Sequence, residues 1–243
     1  YPLLGTIPRV DEKDKDRQEL PVLNNPYSPA STAFEILQTN LGFTMSDKAL
    51  KVIVVSSSMP GEGKSFVSAN LAVAKAQLGK RVLLIDADMR RPRQQNIWNV
   101  PNMIGLSNVL VGQAALHGST AEALVTLDVL TSGKIPPNPL ALLESQRMAR
   151  LVKDASLDYD FVIIDAPPLT AVADALNIGK LVDGMLLVVR PGVANTGSVN
   201  AAKSLLEQSG QQVLGMVVNG VTADNSYGGY YYSKGYYGMN PTQ

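Results

Sequence analysis

From Lys51 onward, short apolar runs alternate with longer amphipathic stretches. Val52–Val55, Val82–Ile85, Val129–Leu130, Phe161–Ile164, Met185–Val189 and Val213–Val218 show no polar alternation. That is the pattern of strands buried on both faces of a parallel sheet. Helical spacing falls between them, near 64–78, 139–155, 171–182 and 196–209. Strand and helix in alternation predict a doubly wound α/β domain with helices on both faces and right-handed crossovers. Upstream, Val10–Leu20 is a mixed-charge run and Leu20–Ala30 carries three prolines. Residues 1–30 therefore read as an irregular N-terminal arm, either extended over the surface or a disordered leader. Ser31-Thr32 is placed to cap a helix running to about Ser46, with Ala33, Ile36, Leu37, Asn40 and Leu41 along one face. The last 22 residues have no apolar periodicity and hold six of the nine tyrosines, Tyr227, Tyr230, Tyr231, Tyr232, Tyr236 and Tyr237. Glycine and serine around them predict a flexible tail. The expected organisation is an arm at 1–30, one domain at 31–221 and a tail at 222–243.

Composition narrows the chemistry. The 243 residues carry 21 basic and 21 acidic side chains, so there is no basic excess of the kind a nucleic-acid partner calls for. No cysteine is present, which removes disulfides, thiolate metal sites and Cys nucleophiles. A single histidine argues against a Ser-His-Asp triad or a multi-histidine metal site. No apolar run approaches the roughly 20 residues of a membrane helix. The chain opens on Tyr1-Pro2 and reads as a fragment or processed form of something longer.

The strongest chemical signal is Ser58-Met59-Pro60-Gly61-Glu62-Gly63-Lys64-Ser65, which follows one predicted strand and opens a predicted helix. This is the setting of a P-loop, with Ser in place of the usual first Gly. Successive N–H groups of such a loop wrap phosphate oxygens, and the helix N-terminus adds a favourable dipole. Lys64 can reach the β- and γ-phosphates of ATP, and the Ser65 hydroxyl can ligate Mg²⁺. Pro60, Gly61, Glu62, Gly63 and Phe66 complete the expected nucleotide-binding segment. Two carboxylate sites follow at predicted strand ends: Asp86-Ala-Asp88-Met-Arg90, and Asp165-Ala-Pro-Pro. Ligands of open parallel sheets sit beyond the carboxyl ends of the strands. Asp165 fits a Walker-B role toward Mg²⁺, directly or through water. A hydroxyl acceptor needs a carboxylate to orient it and take its proton, and Asp86 or Asp88 can supply that. For Asp88 a helix-capping role is an equal alternative. Arg90, Arg91 and Arg93 can stabilise transferred charge or grip an acidic substrate. Asn219, at the end of the last strand, is placed either to contact an adenine or to serve a turn. Trp98 reads as packing and His117 as a surface residue.

These motifs together resemble the bacterial tyrosine kinases, whose cytoplasmic domain is a P-loop fold unrelated to eukaryotic-type protein kinases. The matching stretches are PGEGKS at 60–65, LLIDADMR at 83–90 and VIIDAPP at 162–168, in the family's order. IGLSNVLVG at 104–112 and LTSGKIPPNPLALLES at 130–145 are similar too. The resemblance implies an ATP- and Mg²⁺-dependent protein tyrosine kinase that phosphorylates its own tail between subunits and regulates exopolysaccharide synthesis and export. It implies Lys64 on the phosphates, Ser65 on Mg²⁺ and Asp165 ordering its water shell. Asp86 is then the favoured base or metal partner, with Asp88 and Arg90 beside it, and the six tail tyrosines are acceptors. The implied partners are further copies of the chain, a membrane-embedded portion of a polysaccharide co-polymerase and a tyrosine phosphatase. The implied location is the cytoplasmic side of a bacterial inner membrane. Many members build a ring through E-x-x-R-x-x-R in the first helix; Thr32, Glu35 and Gln38 stand there instead, so a ring resting on that contact is not implied.

Two rival readings remain. A partitioning-type ATPase on the same fold usually carries an extra lysine five residues before the P-loop lysine, and that position is Met59. A non-catalytic scaffold would use nucleotide only to set assembly, its tail serving as a Tyr/Gly adhesive segment.

Overall fold

The computed structural model describes residues 1–10, 19–45 and 49–222. In chain order its elements are β1 (Leu3–Pro8), α1 (Pro21–Asn24), α2 (Pro29–Gly42), β2 (Val52–Ser57), α3 (Lys64–Gln77) and β3 (Val82–Asp86). Then come α4 (Gln94–Ile97), α5 (Leu106–Val111), β4 (Ala121–Leu124), β5 (Leu127–Leu130), α6 (Pro139–Leu143) and α7 (Gln146–Asp158). Last are β6 (Phe161–Asp165), α8 (Asp174–Gly179), β7 (Gly184–Val189), α9 (Thr196–Gln208) and β8 (Val213–Val221). The strands form one sheet in the order β1-β8-β7-β2-β6-β3-β5-β4. Every pairing is parallel except β4 with β5.

Every residue of β2, β3 and β6 is buried, because alternate side chains of each strand feed two separate cores. Ile53, Val55, Leu84 and Ile163 point into the core beneath α2 and α3. Val54, Leu83, Ile85, Val162 and Ile164 point the other way, into the core that includes Leu151 and Val152 of α7 and Ala202 and Leu206 of α9. The predicted doubly wound sheet is therefore present.

Several boundaries differ from the sequence reading. The arm at 1–30 is not irregular throughout. Leu3–Pro8 pairs in parallel with β8, Leu3 opposite Met216 and Thr6 opposite Val218, and Leu4 and Ile7 are buried. Pro2, Gly5 and Pro8 disguise the strand locally. Gly5 serves the packing of α2, because a Cβ there would sit 3.2 Å from Cβ of Leu37. Helix α2 starts earlier than expected, with Ser28 as cap: its hydroxyl accepts from Ser31 N at 3.1 Å and Pro29 occupies the first turn. The Ser31 hydroxyl instead donates to the Asn25 carbonyl at 2.6 Å. The buried face of α2 is Ala30, Ala33, Phe34, Leu37 and Leu41, whereas Ile36 is 48% exposed. The helix expected at 139–155 is two, α6 and α7, because the Ser145 hydroxyl accepts from Met148 N at 3.3 Å and starts a new helix. The helix expected at 171–182 shrinks to α8, and β4 is an edge strand with no clear apolar alternation. The tail tyrosines Tyr227, Tyr230, Tyr231, Tyr232, Tyr236 and Tyr237 lie outside the described residues. Among the described residues no helix is long and apolar enough to cross a membrane.

Candidate active site

The site lies beyond the carboxyl ends of β2, β6 and β3, which are adjacent in the sheet. Asp165, the last residue of β6, pairs in register with Val55 on one side and Asp86 on the other. Sheet register alone therefore sets the two carboxylates side by side.

Between β2 and α3 the loop turns through Gly61 (φ +87°) and Gly63 (φ +91°), a region that side-chain-bearing residues rarely enter. Gly63 leads directly into α3, leaving the first-turn N–H groups free for an anion. Glu62 does not face outward. Its buried carboxylate accepts from the Ser58 hydroxyl at 2.9 Å, Met59 N at 2.6 Å and Arg190 N at 3.2 Å. Asn219 lies behind the loop, where its Nδ2 donates to the Glu62 carbonyl at 2.9 Å. A Cβ on Gly63 would come within 2.1 Å of that nitrogen. Phe66 turns its ring onto the α2 side, edge-to-face with Phe34 at 5.9 Å. Pro60 and Gly61 are exposed at the tip. Glu62, Asn219 and Phe66 thus shape the loop through their side chains, and any nucleotide contact from Glu62 and Phe66 falls to their backbone.

Lys64 and the acidic residues converge inside the loop. Lys64 Nζ donates to Asp88 Oδ2 at 2.7 Å and lies 3.6 Å from Asp165 Oδ1. Asp86 accepts three backbone N–H groups: Arg93 and Gln94 on Oδ2, both at 2.9 Å, and Asp88 on Oδ1 at 3.1 Å. It holds the loop from Ala87 to Arg93 in shape. Asp88 also accepts from Arg91 N at 3.0 Å. Arg90 is gripped by buried Asp174 on α8 through Nε at 2.9 Å and Nη2 at 3.2 Å. Arg93 pairs with Glu19 at 3.1 Å. Two shape-defined clefts, about 310 Å³ beside Lys51 and Asp183 and about 410 Å³ beside His117 and Arg147, lie away from this loop. The site is an open cradle of backbone amides, so its geometry rather than cavity size marks it.

Residues 48–228 match a family model described as ParA: NUBPL iron-transfer P-loop NTPase. The chain is also 39% identical over 228 residues to the tyrosine-protein kinase YwqD of Bacillus subtilis, covering 93% of this chain and 96% of that one. The chain belongs to the bacterial tyrosine-protein kinases. It is 38% identical over 200 residues to the tyrosine-protein kinase Etk of Escherichia coli K12, covering 82% of this chain but only 28% of that one. The solved kinase domain of Escherichia coli ETK superposes with a TM-score of 0.82 at 35% identity, over 97% of this chain and 95% of that domain. Members of this kinase family thus come in two lengths, and this chain spans nearly all of the shorter kind. Iron–sulfur ligation relies on Cys thiolates and the chain has no cysteine, so the match to the broader family carries no cluster site here.

The kinase family binds nucleotide, and the cradle fits one. Asp165 Oδ1 is buried without a hydrogen-bond partner and faces the Lys64 ammonium across 3.6 Å. Among the described residues no group of three acidic or histidine side chains could hold a metal unaided. Mg²⁺ is held by few protein groups together with phosphate oxygens and water, and here Ser65 and Asp165 would hold it.

Electrostatics follow from burial. Asp86 is pushed up to about 7 by burial and then by the Asp165 charge, which the Gln94 and Arg93 amides and Lys64 only partly offset. Burial also raises Asp165, against the downward pull of Lys64, Ser65 and Gln94. For Lys64, burial favours the neutral amine, but Asp165 and Asp88 outweigh it and the ammonium is held above its ordinary range. Asp174 and Gln94 carry no signal of their role in the sequence. Neither belongs to a spaced motif, and each reaches the site only through the tertiary fold. The position opened by the missing ring motif is not a surface in full: Glu35 is exposed, Thr32 half-buried and Gln38 buried.

Proposed function

We propose that the chain transfers the γ-phosphate of ATP to tyrosine hydroxyls, its own tail tyrosines among them, with the tail of one copy entering the site of another. The observation that carries the reading is the convergence of Lys64 on Asp88 and Asp165, with Asp86 in register beside Asp165. A hydrolase needs only water at this point, whereas a hydroxyl acceptor needs a carboxylate to orient it.

The P-loop amides from Gly61 to Ser65 bind the phosphates. Lys64 exchanges its bond to Asp88 for the β- and γ-phosphate oxygens. Ser65, together with Asp165 through water, would hold Mg²⁺, which would supply neutralisation of the charge on the transferred phosphate. Asp86, with a proton affinity near neutrality, takes the proton of the tyrosine hydroxyl as the new O–P bond forms and the β–γ bridge breaks, releasing ADP. A base whose pKa lies near the working pH is suited to this role. Asp88, released by Lys64, orients the acceptor. Arg90, locked by Asp174, presents a fixed positive charge at the edge of the site.

The chain is further proposed to act on the cytoplasmic side of a bacterial inner membrane with a membrane-embedded portion, in exopolysaccharide synthesis. A tyrosine phosphatase reverses the modification, and self-association uses surfaces other than the missing ring motif. Met59 occupies the place of the partitioning-type lysine and contacts Asn195 Nδ2 through its sulfur at 3.7 Å, which supports the kinase over that ATPase. The test is mass spectrometry of residues 222–243 after incubation with ATP and Mg²⁺, beside Lys64→Met. Phosphotyrosine that disappears in the variant is expected; an unmodified tail with ATP still hydrolysed refutes the kinase reading.

A further inference from the structure

The geometry points to Gln94 as a positioning residue that aims Asp165 at the Mg²⁺ position, with Trp98 fixing which way Gln94 faces. Gln94 opens α4, just after the acidic loop, and is fully buried. Its Nε2 donates to Asp165 Oδ2 at 2.8 Å and to the Ser65 carbonyl at 3.1 Å. Its Oε1 accepts from Trp98 Nε1 at 3.1 Å. Its backbone N–H donates to Asp86 Oδ2 at 2.9 Å. One residue therefore touches the P-loop helix and both carboxylate-bearing strand ends.

The chemistry of the partners fixes the amide's orientation. An indole N–H only donates, while an ionised carboxylate and a peptide carbonyl only accept. Oxygen must face Trp98, and nitrogen must face Asp165 and Ser65. A flipped amide would set oxygen against the Asp165 carboxylate and leave the indole N–H without an acceptor. Burying an amide is costly unless its polar atoms are paired, and here every one is. With Oδ2 held by Gln94, Asp165 is left with Oδ1 free of hydrogen bonds, 3.6 Å from the Lys64 ammonium. Outer partners that orient a metal-binding carboxylate in this way commonly contribute about 10–100-fold to metal affinity.

This inference rests on the nucleotide-site reading but not on tyrosine transfer, so it is tested by binding alone. Trp98 is the only tryptophan, and its indole is one hydrogen bond away from Gln94. Its fluorescence should change when Mg²⁺ is added to the ADP-bound chain. Gln94→Met keeps the side-chain length and removes the donors. It should raise the Mg²⁺ concentration for half-saturation about 10-fold, while ADP affinity without Mg²⁺ stays at the native value. Trp98→Phe keeps a ring but loses the donor, and by calorimetry should raise the same value about 2- to 12-fold, the worth of one neutral hydrogen bond. The role is overturned if Gln94→Met leaves Mg²⁺ affinity unchanged. It is equally overturned if ADP affinity without Mg²⁺ falls by the same factor, since that marks a deformed loop rather than a misaimed carboxylate. A native chain that binds no ADP would overturn the site reading itself, and this role with it; loss of tail phosphorylation alone would bear on neither.

Discussion

Glu62→Gln is a nearly isosteric change that tests whether the P-loop is held from behind. The native carboxylate accepts from Met59 N on Oε2 and from Arg190 N on Oε1, so the two backbone donors use different oxygens. An amide offers one oxygen and one NH₂. The Ser58 hydroxyl can rotate to accept from that NH₂, but neither backbone N–H can change its role. Whichever way the amide faces, one half-buried N–H loses its acceptor, at a cost of about 1–3 kcal/mol. For a chain of this size each kcal/mol moves Tm by about 2–4 °C, so thermal melting should fall by roughly 2–12 °C. ADP affinity should fall as well, because Met59 lies in the loop whose amides meet the phosphates. Differential scanning calorimetry and ADP titration read both quantities. A variant melting within about 1 °C of native, with ADP affinity intact, would refute the view that Glu62 braces the loop rather than contacting ligand through its side chain.

Asp86→Asn should slow transfer to tyrosine by a factor on the order of 10²–10⁴ and, because its NH₂ cannot accept from the Asp88 N–H, should also cost about 1–3 kcal/mol of stability; a variant at full rate in a single-turnover assay would move the base role to Asp88. The raised Asp86 value, from 3.8 to about 7, means the native state holds a proton that the unfolded chain has released. The stability this confers is fully present below pH 4 and is lost as pH rises through 7. Urea midpoints of the native chain should therefore fall more steeply between pH 4 and 7 than those of Asp86→Asn, and parallel profiles would contradict the assignment. Phe34→Ala removes a fully buried ring packed edge-to-face on Phe66 and should cost about 3–5 kcal/mol, read as a lower urea midpoint at unchanged slope. Gly63→Ala should abolish ADP binding in calorimetry, since its Cβ would meet Asn219 at 2.1 Å in backbone that L-residues rarely adopt.

Local pattern determined a large part of this molecule. Strands buried on both faces, such as Val52–Val55 and Phe161–Ile164, announce themselves as unbroken apolar runs because neither face meets water. Pro60–Ser65 is legible because a phosphate cradle needs glycines, a lysine and a hydroxyl at fixed spacing on one continuous turn. Asp86 and Asp165 are legible because each directly follows such a run, and Asp88 because it stands two residues beyond Asp86. Other features were decided only when distant segments met. Leu3–Pro8 is a strand because β8 is beside it, and no alternation of its own says so. The inward turn of Glu62 and Asn219 depends on Arg190 and the P-loop meeting across β7 and β8. Asp174 and Gln94 reach the site across 84 and 71 residues of chain. Hydrophobic periodicity and short motifs record what neighbours along the chain must do together. Hydrogen-bond partners of buried polar groups are set by the packing of separate elements, and no spacing in the sequence records them.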